Sequence, residues 1–246
     1  MTRTEPSRAE VVDRLAHVRD RIRTAAGTDD NVTVVAVTKG HGPAAAVAAV
    51  EAGLTDVGEN YAAELVATAA ALGTGGSRPP RRSDEKPPHG NLPELPVRVH
   101  FLGRVQRNKV RTMADVVHLW QGVDRLAAGR EIARRSPGAA VLVQLDVSGE
   151  AAKNGCRPGE AVGLVDELVG IGLDVRGLMA VGPTGSPEDA RPGFRTLVAL
   201  AERLGLPERS IGMTDDLEVA VSEGATMIRV GRGLFGPRNG ADDLRR

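Results

Sequence analysis

NVTVVAVTKGHGPAAAVAAVEAG, Asn31 to Gly53, is the stretch on which the fold turns. It opens as a run of β-branched and small apolar residues, breaks at two glycines and a proline, and continues as an alanine- and valine-rich segment with helical spacing. A short β-rich run, a turn and a helix in that order make a parallel βα unit. The same rhythm returns along the chain. Further β-rich runs are TDVGEN, VRVHFLG, DVVHLWQG, AAVLVQLDV, LDVRGLMAV, RSIGM and TMIRVG, which makes eight in all. Between them lie YAAELVATAAALG, QRNKVRTMA, DRLAAGREIARR, RPGEAVGLVDELVGIG, PEDARPGFRTLVALAERLG and DDLEVAVSEGA, each with apolar residues at helical spacing. Eight strands interleaved with helices predict a closed (β/α)8 TIM barrel, with an open doubly wound sheet as the alternative. An amphipathic helix over about Ser7 to Ala25 precedes the first strand.

One segment breaks the rhythm. GTGGSRPPRRSDEKPPHGNLPELP, residues 73–96, is rich in glycine, proline and charge and has no apolar period, so it is expected to be a disordered loop on the face opposite the strand C-termini. No repeat or linker divides the chain, and residues 1–246 are read as one barrel domain.

Lysine plus arginine and aspartate plus glutamate both number 32, so no net field draws the chain to nucleic acid or to an anionic membrane. With one Trp, one Tyr and three Phe, it also lacks base-stacking platforms. The single cysteine, Cys156, excludes an internal disulfide framework and fits a reducing compartment. The charged MTRTEPSRAEVVDRL has no signal-peptide core, and no segment resembles a membrane span. A cytoplasmic protein is expected.

Alternation along the first strand puts Thr33, Val35, Val37 and Lys39 on one face. If that face points into the barrel, Lys39 stands at the C-terminal mouth, where active sites of this fold sit. A desolvated amine there can form a Schiff base with an aldehyde; an ordinary strand-end lysine is the other reading. At the far end of the chain, SIGMTDD offers Thr214 as a helix N-cap, and MIRVGRG carries Arg229 followed by Gly231 and Gly233. Glycine-rich turns after strands 7 and 8 form the recurrent phosphate site of such barrels. An aldehyde at one end and a phosphate at the other describe pyridoxal 5′-phosphate. Arg229, which can only donate hydrogen bonds, would keep its pyridine nitrogen unprotonated and so weaken it as an electron sink.

The segments AVTKGHGP, DVGENY, HFLGRVQRNK, AAKNGC, RGLMAVGP and SIGMTDDLEVAVSEGATMIRVGRGLFGPR resemble, in order and spacing, the pyridoxal-phosphate homeostasis protein family of the YggS/PROSC type. The resemblance implies a barrel of the alanine racemase N-terminal type, the fold type III of pyridoxal-phosphate proteins. It assigns Lys39 as the Schiff-base lysine, Asn60 as a ring-side contact, Arg229 as the partner of the pyridine nitrogen, and Ser210, Met213, Thr214, Gly231 and Arg232 as the phosphate cradle. It also matches Lys153 to a family lysine, a second amine or a surface residue. Two departures stand out: His41 replaces a common second lysine, and Arg232 a frequent threonine.

The implied function is a carrier of pyridoxal phosphate that contributes to intracellular cofactor homeostasis and hands it to apo-enzymes. The alternative is a pyridoxal-phosphate-dependent amino-acid racemase. Racemisation needs an acid/base group on each face of the α-carbon, and in alanine racemases the second is a tyrosine from an additional domain of the partner subunit. The only tyrosine here, Tyr61, lies in GENY. A non-enzymatic monomer is therefore expected. Other candidates divide as follows. Glu59 is an acid/base residue at the mouth or a capping or ion-pairing carboxylate; Cys156 is a small buried residue; His100 and His118 are packed histidines and not metal ligands; Arg104, Arg107, Lys109 and Arg111 form a solvated basic face.

Overall fold

In a computed structural model that describes residues 6–74, 97–150 and 153–237, the run read as the first strand pairs on both sides. The strands are β1 (Thr33–Val37), β2 (Asp56–Glu59), β3 (Arg98–Phe101), β4 (Leu119–Val123), β5 (Ala140–Leu145), β6 (Asp174–Ala180), β7 (Glu208–Ser210) and β8 (Met227–Val230). Each runs parallel to its neighbours, and β8 returns to β1 with Val35 opposite Arg229, so the sheet closes and the doubly wound alternative falls. The helices are α1 (Arg8–Ala26), α2 (Pro43–Glu51), α3 (Ala62–Leu72), α4 (Arg107–Met113), α5 (Leu126–Arg135), α6 (Ala161–Gly170), α7 (Arg191–Arg203), α8 (Leu217–Ser222) and α9 (Arg232–Phe235).

Strand alternation sorts the core into two layers. Val34 and Ala36 of β1 join the apolar layer beneath the helices, together with Val57, Val99, Trp120 and Val141. Val35, one residue out of phase, joins a small cluster inside the barrel with Leu119, Ala140, Leu142, Met179 and Met227. Below the mouth the interior is also polar: Asp56, His100, Gln121, Ser210 and Arg229 are all buried. A barrel interior is normally filled by branched apolar side chains, so this polar column is the fold's departure from type.

The N-terminal helix begins with a capping box, Ser7 with Glu10, and buries Val11, Leu15, Val18 and Ile22 at helical spacing. Its polar side braces the end of the chain: Arg21 Nη2 donates to Thr214 O at 2.8 Å, and Arg14 Nη1 to Leu234 O at 3.1 Å. Gly103, just past β3, allows the backbone to pass Asn60; a Cβ there would lie 2.1 Å from the Asn60 carbonyl oxygen.

Two expectations need correction. The fourth strand starts at Leu119 and not at Asp115, because Val116 and Val117 still donate to Met113 O and prolong the end of α4. Thr214 does not cap the helix after strand 7; Asp216 precedes α8, and the Thr214 hydroxyl accepts from Gly233 N instead. Of the expected loop at 73–96, Gly73 closes α3 in the left-handed conformation (φ 67°), while 75–96 lie outside the described residues.

Candidate functional site

The C-terminal ends of the strands enclose a cavity of about 640 Å³, within the range of small-molecule pockets. Lys39 reaches it because β1 ends two residues earlier with Val37 on the inner face, and alternation carries the next inward position to the lysine. Asn60 enters in the same way after β2. From the other side come Met213 and Thr214 after β7, Arg229 on β8, and Gly231 and Arg232 after β8. Of the eight cofactor contacts that the family resemblance assigns, only Ser210 does not line the cavity. It is fully buried below the floor, where its hydroxyl and carbonyl both accept from Arg229 Nη1 at 2.7 Å.

Arg229 is the centre of the floor. Its Nη2 donates to Ala180 O at 2.7 Å. Burial pulls the guanidinium down to about 10, partly offset by Asp216, yet at neutral pH it stays charged. The turn of 213–216 is held by Met213 N donating to Asp216 Oδ1 at 2.6 Å, and Gly233 N donates to Thr214 Oγ1 at 3.1 Å. Arg232 is exposed and pairs with Asp215. His41 packs its ring on Phe235 of α9, centroids 5.4 Å apart, and so ties the β1 turn to the last helix.

Lys153 lies on the same cavity, where its amine donates to Glu150 Oε1 at 2.8 Å and Gly182 O at 2.6 Å. Glu150 is accordingly held at about 2, chiefly by the Lys153 bond and then by Thr184. The rim that sequence reading missed consists of Gln144 and of the segment Val181–Pro187 after β6. Gln144 was legible in principle, being the inward position after Ala140 and Leu142 on β5. Arg104 also lines the cavity and binds Asp124, whereas Arg107, Lys109 and Arg111 are exposed on α4. Cys156 is buried, and desolvation pushes its thiol up to about 11, which leaves it protonated and inert at neutral pH. His100 is packed and hydrogen-bonded, but His118 is exposed. Among the described residues, no group of His, Cys, Asp or Glu is arranged for a metal, and no helix is long and apolar enough to cross a membrane.

Glu59 faces away from the mouth. As the outward neighbour of Gly58, it sits between β1 and α3, where Thr38 and Thr68 donate to its Oε1 at 2.6 and 2.8 Å. Its Oε2 has no hydrogen-bond partner, and Glu64 is close beside it, itself accepting from Gly40 N at 3.2 Å. Burial first, and then the Glu64 charge, push the Glu59 carboxyl up to about 7 against the two hydroxyl bonds. A carboxyl raised by folding stabilises the protein below its unfolded value and loses that contribution as pH rises through 7. Glu59→Gln, which mimics the protonated form, is therefore expected to stabilise the fold by on the order of 2 kcal/mol at pH 8 and to change little at pH 4.5. Denaturant unfolding at the two pH values measures this; an equal effect at both would refute a titrating Glu59.

The donor set suits a phosphorylated aldehyde: the primary amines of Lys39 and Lys153, the second held by Glu150 and Gly182 O, one buried guanidinium that can only donate, and a hydroxyl-bearing turn beside a helix start, all on one cavity. Comparison with known proteins gives the same direction. Residues 12–239 match the family model of the alanine racemase N-terminal domain. The chain is 36% identical over 241 residues to the pyridoxal phosphate homeostasis protein of Pseudomonas aeruginosa, covering 93% of this chain and 96% of that one. Among solved structures, PipY of Synechococcus elongatus with pyridoxal phosphate bound superposes with a TM-score of 0.72 at 28% identity, covering 92% of this chain and all of PipY. An alanine racemase of Clostridium difficile superposes with a TM-score of 0.65 at 14% identity, covering 94% of this chain and 58% of the racemase, which is a likeness of fold.

Proposed function

Because this chain belongs to the pyridoxal phosphate homeostasis proteins, within the alanine racemase N-terminal domain family, we propose that it binds pyridoxal 5′-phosphate reversibly and buffers its intracellular supply. The observation that carries this reading is that Lys39, Arg229 and the 213–214 and 231–232 turns all line one cavity. The bound cofactor would supply an aldehyde for the Lys39 amine to hold as a Schiff base. Arg229 would hold the ring nitrogen and, as a pure donor, disfavour a proton there. Thr214, Gly231 and Arg232, with Met213 beside them, would hold the phosphate, and Asn60 would contact the ring. Ser210 acts from beneath by holding Arg229.

Carriage in preference to catalysis is supported by the chain's single tyrosine. Racemisation needs a proton donor and acceptor on opposite faces of the α-carbon, whereas Tyr61 is half-exposed at the start of α3 and does not line the cavity. Recipient apo-enzymes would take the cofactor from the open mouth. The test is incubation with pyridoxal phosphate, borohydride reduction and peptide mass spectrometry. The expected result is one dominant reduced adduct, on Lys39; the absence of an adduct, or a dominant one on another lysine, would overturn the assignment. Steady amino-acid racemisation abolished by a Lys39 substitution would replace the carrier with an enzyme.

A further inference from the structure

The barrel interior holds a chain of hydrogen bonds that runs from the mouth to the opposite end, and elementary chemistry fixes its direction. Arg229 can only donate, so Ser210 Oγ accepts from its Nη1. The serine proton is then free for Gln121 Oε1, 2.7 Å away. That orientation turns the Gln121 amide nitrogen to His100 Nδ1 at 2.8 Å, with Met227 Sδ a second acceptor at 3.0 Å. An amide N–H requires an acceptor, so Nδ1 carries no proton and the imidazole proton sits on Nε2, 2.9 Å from Asp56 Oδ1. An ionised Asp56 can only accept, and it also takes two bonds from Arg98, at 2.8 and 2.6 Å. The two ends therefore demand the same polarity independently. Every member turns its negative end toward Arg229 and its positive end toward Asp56, an arrangement in which neighbouring bonds strengthen one another.

The reverse polarity fails on local grounds. With a proton on Nδ1, Gln121 would turn over and present its nitrogen to a serine oxygen that already accepts from Arg229. The Ser210 proton would then lose its acceptor at a fully buried site, which is costly. The other charged groups around His100 are Arg98 on β3, Arg176 on β6, Glu208 on β7 and His118 before β4, whose ring centroid is 6.2 Å away.

We propose that Asp56, His100, Gln121 and Ser210 are positioning residues for Arg229: a one-directional chain that fixes its guanidinium at the cavity floor and keeps His100 neutral as the Nε2–H tautomer. The consequence for the ligand rests on the reading that Arg229 faces the pyridine nitrogen. An ordered guanidinium keeps the ring nitrogen in one protonation state, so the imine absorption band is independent of pH while the chain is intact. The groups doing this lie beyond contact distance of any ligand in the cavity, since Gln121 and His100 do not line it.

Two measurements on the full-length protein separate the chain from the ligand reading. Nitrogen-15 NMR of the histidines, without any cofactor, should show His100 as the neutral Nε2–H tautomer at neutral pH. Ser210→Ala, which does not touch His100, should shift that signal toward the doubly protonated form; Gln121→Glu, whose carboxylate accepts from both sides, should convert it. A wild-type His100 that is cationic or protonated on Nδ1, or one unmoved by either substitution, overturns the chain. With pyridoxal phosphate added, Gln121→Leu should introduce a pH-dependent shift of the imine band that the wild type lacks, and Gln121→Glu fills the same role if the leucine variant does not fold. A band unchanged in position and pH profile, with the cofactor still reduced onto Lys39, overturns the action on Arg229. Loss of the wild-type adduct itself defeats the ligand reading, and the NMR result still decides the chain.

Discussion

Lys39→Ala is expected to abolish the imine absorption band of the protein mixed with pyridoxal phosphate, and to weaken retention of the cofactor by on the order of 100-fold, a loss equivalent to about 3 kcal/mol. The size follows from what remains. Thr214, Gly231, Arg232 and Arg229 still line the cavity, so phosphate and ring contacts survive while the covalent bond is gone. Lys39→Arg isolates the chemistry, because it keeps a cation at the strand end yet cannot condense with an aldehyde. Equilibrium dialysis and absorption spectra of the two variants should therefore agree with each other and differ from wild type. Retention of the band in Lys39→Ala would move the Schiff base to another amine. Lys153 also lines the cavity, but its amine is engaged by Glu150 and Gly182 O.

What the sequence made legible was whatever depends on local period. Alternation along β1 placed Val35 inside and Val34 outside, and that parity extended past the strand end to Lys39. The same rule applied to GENY would have turned Asn60 inward and Glu59 outward, and the structure has them so. Of the two readings open for Glu59, that parity excludes an acid/base residue at the mouth. Thr214 met every local criterion for an N-cap, and lost that role to a contact with Gly233, which lies 19 residues away in sequence. The interior chain was out of reach for the same reason: its links join residues separated by 19, 89, 21 and 44 positions. Only closure of the barrel brings those five strands onto one axis. A histidine and a glutamine inside apolar runs were the sole trace, and as single residues they point nowhere.

Asp56 at the far end of that axis is expected to be the costliest of the polar positions to remove. Its carboxylate is 3% exposed and accepts from Arg98, His100 and Thr55. Burial alone would raise it, but the bonds from His100 and Arg98 outweigh burial and hold it at about 2. Asp56→Ala leaves the imidazole N–H and part of the Arg98 guanidinium in the interior without an acceptor, an effect of about 4 kcal/mol for a buried partner. Arg98 is half-exposed and can turn to water, so His100 accounts for most of the damage. Asp56→Asn preserves an acceptor for His100 and should cost less, which distinguishes the lost bond from the lost charge. The acid side gives an independent check. A carboxylate lowered by folding contributes stability that is complete above its unfolded value and fades as pH falls toward 2. The wild type should lose about 2 kcal/mol through that window, and Asp56→Asn should lack that share. Denaturant midpoints taken from pH 5 down to pH 2.5 would show it; parallel acid profiles for wild type and Asp56→Asn would mean that Asp56 is not the anion that anchors the interior chain.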